Sequence, residues 1–250
     1  MKRSTRIWLM VAACLILFGS GMFAVIMTYY HWDFSKLATV KYEKKEYEIR
    51  DAFHGISIHV DVADITIAES EDGICRVECY QEENMGYSVV VKDGILHVKS
   101  ENDRDWYEHI GIGFESPKIT IYLPKSMDIS NVTIKASTGD IKMSNISVET
   151  LEIITSTGDV NLFGVICHGD LKIDADTGDI YFKDADAAEI FVKTGTGDVT
   201  GILLSDKMFD VETDTGEIDV PRTTEGGKCQ IRTNTGDVKI TISGSVTEGE

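Results

Sequence analysis

The chain has 250 residues, with 24 Lys+Arg against 42 Asp+Glu and a net charge of −18. Hydrophobic residues make up 42% and only 3 prolines occur. A packed core is therefore within reach, and collagen-like, proline-rich and wholly disordered classes are excluded. The acidic balance argues against nucleic acid as a partner, because a phosphate backbone repels it.

The first predicted element is a membrane helix. Residues 7–30 are an uncharged, mostly apolar run of 24 residues, and roughly 20 suffice to cross a bilayer. Lys2, Arg3 and Arg6 precede it, which assigns residues 1–6 to the cytoplasm by the positive-inside rule. Tyr29, Tyr30 and Trp32 stand at the far end, where aromatic rings anchor at an interface, and Trp8 suits the near one. A cleaved signal peptide has an apolar core of only about 7–15 residues before a small-x-small site. Gly19-Ser20-Gly21 is a poor site because Met22 to Met27 continues the run. Val11-Ala12-Ala13-Cys14 has the look of a lipoprotein box, but sixteen more residues of membrane character follow it. The reading is an uncleaved signal anchor in the cell membrane, with residues 31–250 outside. The 3 basic residues before the span leave 21 basic against 42 acidic residues beyond it, a net of −21.

A juxtamembrane linker (31–46) and an N-terminal capping β region (47–124) follow. Residues 56–67 alternate apolar and polar, with Ala63-Asp64 where later segments carry Thr-Gly-Asp. Residues 74–79, 88–91, 95–99 and 118–123 also read as strands, with Lys92-Asp93-Gly94 as a hairpin turn. Residues 101–117 break the alternation and read as a loop. Its aromatic residues Trp106, Tyr107 and Phe114 are the candidate partner-binding residues, since aromatic side chains carry much interface energy. The alternative is that these rings fold back and cap the open end of a stack.

Residues 125–250 are a repeat region. Six turns recur: Thr138-Gly139-Asp140, Thr157-Gly158-Asp159, Thr177-Gly178-Asp179, Thr196-Gly197-Asp198, Thr215-Gly216-Glu217 and Thr235-Gly236-Asp237. The glycines are 19, 20, 19, 19 and 20 residues apart, a period that signals a stacked architecture. Seven residues before each glycine stand Val132, Leu151, Leu171, Ile190, Phe209 and Cys229. Two residues after it stand Ile141, Val160, Ile180, Val199, Ile218 and Val238. Similar apolar columns lie at −5 and +4, with polar residues between, so each unit is strand, turn, strand. The glycine is expected to supply a positive φ, and the carboxylate to accept hydrogen bonds from turn amides. One unit buries its apolar face only against its neighbours, so the units stack. The fold class is all-β, a stacked, β-solenoid-like exterior domain after one transmembrane helix; a plain antiparallel sandwich is the alternative.

At these residues the chain resembles a family. The Thr-Gly-Asp series, the strand ended by Pro124 and the capping strand at 56–67 resemble the bacterial putative adhesin, or Toastrack, β-strand repeat family, over roughly residues 47–243. The resemblance implies a stacked β fold on the outer face of a bacterial membrane. It further implies an association with envelope-stress sensing and small multi-pass membrane partners, and it carries no catalytic motif.

The remaining chemistry is sparse. Stacked carboxylates about 5 Å apart need amide donors, protonation or a cation. The Gly-Gly-x-Gly-x-Asp pattern of calcium-binding β-rolls is absent, so turn capping is favoured and no metal or cofactor is expected. The six histidines show no metal spacing and read as surface or turn residues, and no Ser-His-Asp set is recognisable. Cys75 and Cys79 share a strand face but stand roughly 13 Å apart, too far for a disulfide. With Cys167 and Cys229 they read as buried thiols, although pairing between separate strands stays open. The functional expectation is a non-catalytic binding, sensor or scaffold module of the cell envelope. A surface adhesin is the alternative, and a β-helix polysaccharide enzyme ranks last.

Overall fold

The computed structural model describes residues 3–33, 41–83, 86–101 and 115–243. Helix α1 covers Arg3–Tyr29, and its segment Thr5–Tyr29 is long and apolar enough to cross a membrane. The helix and the β domain are separate compact units.

The β domain is built from β1 Tyr42–Glu48, β2 Gly55–Val62, β3 Asp64–Glu69, β4 Arg76–Glu82, β5 Gly86–Lys92, β6 Ile95–Glu101, β7 Lys118–Leu123, β8 Ile129–Thr138, β9 Ile141–Ser144, β10 Ser147–Thr157, β11 Val160–Phe163, β12 Ile166–Thr177, β13 Ile180–Thr196, β14 Val199–Leu203, β15 Lys207–Thr215, β16 Ile218–Asp219, β17 Gly227–Thr235 and β18 Val238–Ile242. The first strand begins at Tyr42, inside the stretch read from sequence as linker. Tyr42-Glu43-Lys44-Lys45-Glu46 lacks apolar alternation because β1 is an edge strand, held by antiparallel pairing to β4.

Each repeat unit runs along a front sheet, turns a tight corner and returns along a back sheet. The units are β2/β3, β8/β9, β10/β11, β12 with the start of β13, the rest of β13 with β14, β15/β16 and β17/β18. Equivalent strands pair in parallel and in register, so that Ile153 lies beside Ile134 on one side and Ile173 on the other. The front sheet is ordered β5-β6-β2-β8-β10-β12-β13-β17-β15. The back sheet is ordered β1-β4-β7-β3-β9-β11-β13-β14-β18-β16. Beyond the repeats, β1, β4 and β5 add antiparallel strands at one end. The β5–β6 hairpin turns through Asp93 (φ 53°) and Gly94 (φ 76°), both left-handed as a tight hairpin requires.

The stack does not follow chain order at its end. The last unit, β17/β18, inserts beside β13/β14, and β15/β16 is displaced to the outside. The insertion needs backbone to pass very close to backbone. A Cβ on Gly227 would lie 1.7 Å from the Ala188 carbonyl oxygen, and one on Gly226 would lie 1.8 Å from that of Asp206. Only glycine fits there.

The core lies between the inward faces of the two sheets. The columns at −7 and −5 line the front side and those at +2 and +4 the back side; Val132, Leu151, Ile153, Val160, Leu162, Ile180 and Val238 are among those at 1% exposure or less. Phe182, the largest fully buried side chain, lies in register with Gly201, so the small residue compensates the large one. On the displaced outer unit the same columns are less covered, and Ile218 is 45% exposed.

Candidate interaction surfaces

The corners form one edge of the domain. Between adjacent units a main-chain bond runs one way: the Gly139 amide donates to Thr157 O (3.0 Å) and the Gly158 amide to Thr177 O (3.0 Å). A side-chain bond runs the other way. The Asp140 amide donates to Asp64 Oδ1 (3.2 Å), Asp159 to Asp140 (2.9 Å), Asp179 to Asp159 (2.9 Å), Asp198 to Asp179 (2.8 Å), Asp237 to Asp198 (2.7 Å) and Glu217 to Asp237 (2.8 Å). The carboxylates thus cap the next unit's corner rather than their own. Asp64, at the degenerate corner, is the first rung. Glu217 is the last, and no amide of a further unit follows it among the described residues, so the longer acid is tolerated there.

The corner glycines are required twice over. Gly158 has φ 137°, and a Cβ on it would lie 2.1 Å from the Gly139 carbonyl oxygen. Gly139, Gly178, Gly197, Gly216 and Gly236 repeat that relation to a neighbouring corner.

Because each carboxylate except Glu217 already accepts an amide, the row is a hydrogen-bonded ladder. Among the described residues, no group of three or more His, Cys, Asp or Glu side chains converges as a metal site. Ser147 Oγ lies 3.1 Å from His168 Nε2 on the surface. No hydrogen bond holds His168 Nδ1 among the described residues, so the third member of a nucleophilic triad is missing.

The four cysteines of the β domain are buried and unpaired. Burial pushes the thiols of Cys79, Cys167 and Cys229 up to about 12 and that of Cys75 up to about 11, so they stay protonated and inert. Near Cys167 and Cys229 lies a buried ion pair absent from the sequence reading. Lys207, 2% exposed, reaches Asp186 Oδ1 at 2.6 Å and also bonds Ser205 Oγ. This pair ties displaced β15 to β13 past the glycines at the start of β17.

The outward face of the front sheet is a continuous nine-strand surface and holds two open grooves. One, about 410 Å³, lies over β10, β12, β13 and β17, with Ile154 and Phe191 flanked by Lys172, Asp174, Lys193 and Arg232. Lys172 and Lys228 sit 5.7 and 5.8 Å from the Phe191 ring centre. Its cations are paired: Lys193 with Asp174 (3.8 Å), and Arg232 with Asp210 (2.9 Å) and Glu212 (3.1 Å). The second groove, about 350 Å³, lies over β2, β6 and β8 and is lined by His54, His59, His97, Lys99 and Lys135 together with smaller residues. Sequence reading treated these histidines as scattered surface residues. Their outward strand positions were legible, but their convergence depends on register. Trp106, Tyr107 and Phe114, the candidates read from sequence, lie outside the described residues.

Two solved structures share the fold. The chain is similar to a putative cell adhesion protein from Clostridium sporogenes at 15% identity and a TM-score of 0.50, covering 82% of this chain and 100% of that one. It is similar to a putative adhesin from Bacteroides fragilis at 18% identity and a TM-score of 0.51, covering 80% and 97%. No curated protein matches the sequence. Residues 53–249 match the family described as Toastrack DUF4097, and with the ladder of Thr-Gly-Asp corners they make this chain a member of the Toastrack family.

Proposed function

We propose that this chain is a membrane-anchored, extracytoplasmic binding module of the bacterial cell envelope, acting as a sensor or scaffold without catalysis. The observation that carries the reading is the front face: nine strands in register present a continuous outward surface with open grooves. The apolar helix α1 supports anchoring, and Lys2, Arg3 and Arg6 before it support an outward domain. Twelve residues separate α1 from β1, a short tether that suits a partner in or beside the same membrane.

The test has two parts. Protease added to intact protoplasts digests the β domain; full protection refutes the topology. A photo-crosslinking residue at Ile154 or Phe191 on the front face captures a discrete membrane partner, whereas one at Lys142 on the outward side of β9 does not. Equal capture at both faces, or none at either, refutes the binding surface.

A further inference from the structure

Beyond the apolar helix the chain is strongly acidic, yet one part of its surface reverses the sign. Strand pairing sets His97, Ser57 and Thr133 in one row across β6, β2 and β8, and Lys99, His59 and Lys135 in the next. His54 closes one end against the β5–β6 turn, where its ring occupies the space a Cβ on Gly94 would need. The groove over these strands has no Asp or Glu among its lining residues, in a chain with 42 acids. The nearest carboxylates in register are Glu152, opposite Thr133 on β10, and Asp61 and Glu101, two residues beyond His59 and Lys99.

The cations here differ from three that line or border the other groove. Lys172, Lys193 and Arg232 are each paired with a carboxylate. Among the described residues, Lys99, Lys135, His54 and His59 make no ion pair or side-chain hydrogen bond. His97 Nδ1 is sealed from solvent with no hydrogen-bond partner. A buried ring nitrogen without a partner is costly, and the tautomer decides whether it needs an acceptor or a donor. Lys99 and Lys135 flank His59 from the strands on either side, about 10 Å apart at the backbone. Their flexible stems allow both ammonium groups to close on a group held between them, above the imidazoles.

We propose that this groove binds a phosphate group of a linear, phosphate-linked anionic polymer other than nucleic acid, outside the membrane. The proposal rests on the extracytoplasmic binding reading above and names the chemistry of its ligand. Point-charge lysines and imidazole donors arriving from several directions suit a tetrahedral anion. A planar carboxylate is better matched by an arginine fork, and no arginine lines the groove. At about 350 Å³ and open at its sides, the groove exceeds one free phosphate. A flat anionic bilayer would meet Asp61, Glu101 and Glu152 together with the lysines, whereas a single strand passes between them.

The test uses the full chain in nanodiscs of zwitterionic phosphatidylcholine, titrated with linear polyphosphate and, separately, with inorganic phosphate. A further arm measures co-sedimentation with phosphatidylglycerol vesicles. Saturable polyphosphate binding is expected, tighter than that of inorganic phosphate and weakened by salt. The double variant Lys99→Gln, Lys135→Gln binds at least tenfold more weakly with an unchanged unfolding midpoint. Lys44→Gln, Lys239→Gln, which removes two lysines paired with carboxylates on the other sheet, binds as the parent does. Absence of saturable binding, equal loss in both double variants, or binding to phosphatidylglycerol vesicles alone overturns the proposal. If polyphosphate fails while front-face crosslinking and protease access persist, the ligand assignment falls and the module reading stands. Loss of the topology result overturns both.

Discussion

Replacing Gly158 by Ala tests the corner geometry most directly. The added Cβ meets two penalties. The backbone at φ 137° is one that L-residues avoid, costing about 1–3 kcal/mol. The Cβ also falls 2.1 Å from the Gly139 carbonyl oxygen and 2.6 Å from its carbon. Both are main-chain atoms of a corner held in the ladder, so relief requires separating two units, at about 1–3 kcal/mol by analogy with an overpacked core. Alanine restricts the unfolded chain and returns about 0.4–1 kcal/mol. The net expectation is a loss of about 1–5.5 kcal/mol, against a stability of about 5–15 kcal/mol for an ordinary domain. For a domain of this size that lowers the melting temperature by roughly 2–20 °C. Gly73→Ala is the matched control. Its φ is 73° and nothing lies within 4 Å of the added Cβ, so it bears only the left-handed cost of about 1–2 kcal/mol. Thermal and urea unfolding followed by far-ultraviolet circular dichroism measure both. A Gly158→Ala midpoint no lower than that of Gly73→Ala would refute the stacked-corner account.

Other positions give independent expectations. Asp179→Ala removes the acceptor of the Asp198 amide and costs about 1 kcal/mol in urea unfolding, whereas Glu217→Ala, at the end of the ladder, changes stability by less than about 0.5 kcal/mol; equal losses would contradict the displaced position of β15/β16. Lys207→Met strands the Asp186 carboxylate and costs about 3 kcal/mol, and adding Asp186→Leu restores most of it; a harmless single substitution would show that the pair does not hold β15 in place. The buried thiols of Cys79, Cys167 and Cys229 are held at about 12, while unfolded thiols ionise near about 8.5. The unfolded state therefore binds fewer protons between these values, and the urea midpoint falls as pH rises through that window; a flat profile from pH 8 to 11 would argue against burial. Asp72 accepts from Ser70 Oγ (2.7 Å), from Arg76 and from the Ile74 amide (3.1 Å), which hold its carboxyl down to about 2. Its contribution is present above about pH 4 and is lost as pH falls toward 2; Asp72→Asn flattens the acid limb of the stability profile, and an unaltered limb would refute the assignment.

The repeat was legible because one physical requirement recurs at a fixed spacing. Each unit needs apolar residues at −7, −5, +2 and +4, a glycine where corners touch, and a short acid that reaches the next amide. Those demands are local to a unit, so the period, the alternation and the corner residues determined the strands and the all-β class. Composition and length likewise marked the apolar helix. The register between units was not local. Sequence reading gave the carboxylates to turn amides without saying whose, while the structure hands each except Glu217 to the amide of a neighbouring unit. Nor did chain order reveal that β17/β18 inserts beside β13, because every unit presents the same columns and any neighbour satisfies them. That choice rests on Gly226 and Gly227, which admit close backbone approach, and on the buried Lys207–Asp186 pair, which looks in sequence like two ordinary surface charges. The edge strand β1 escaped notice for a related reason, since its charged residues owe their strand to pairing with β4 and not to a buried face. The groove over β2, β6 and β8 follows the same logic. His59, His97, Lys99 and Lys135 are far apart along the chain, and only parallel pairing across three strands turns them into one cationic surface.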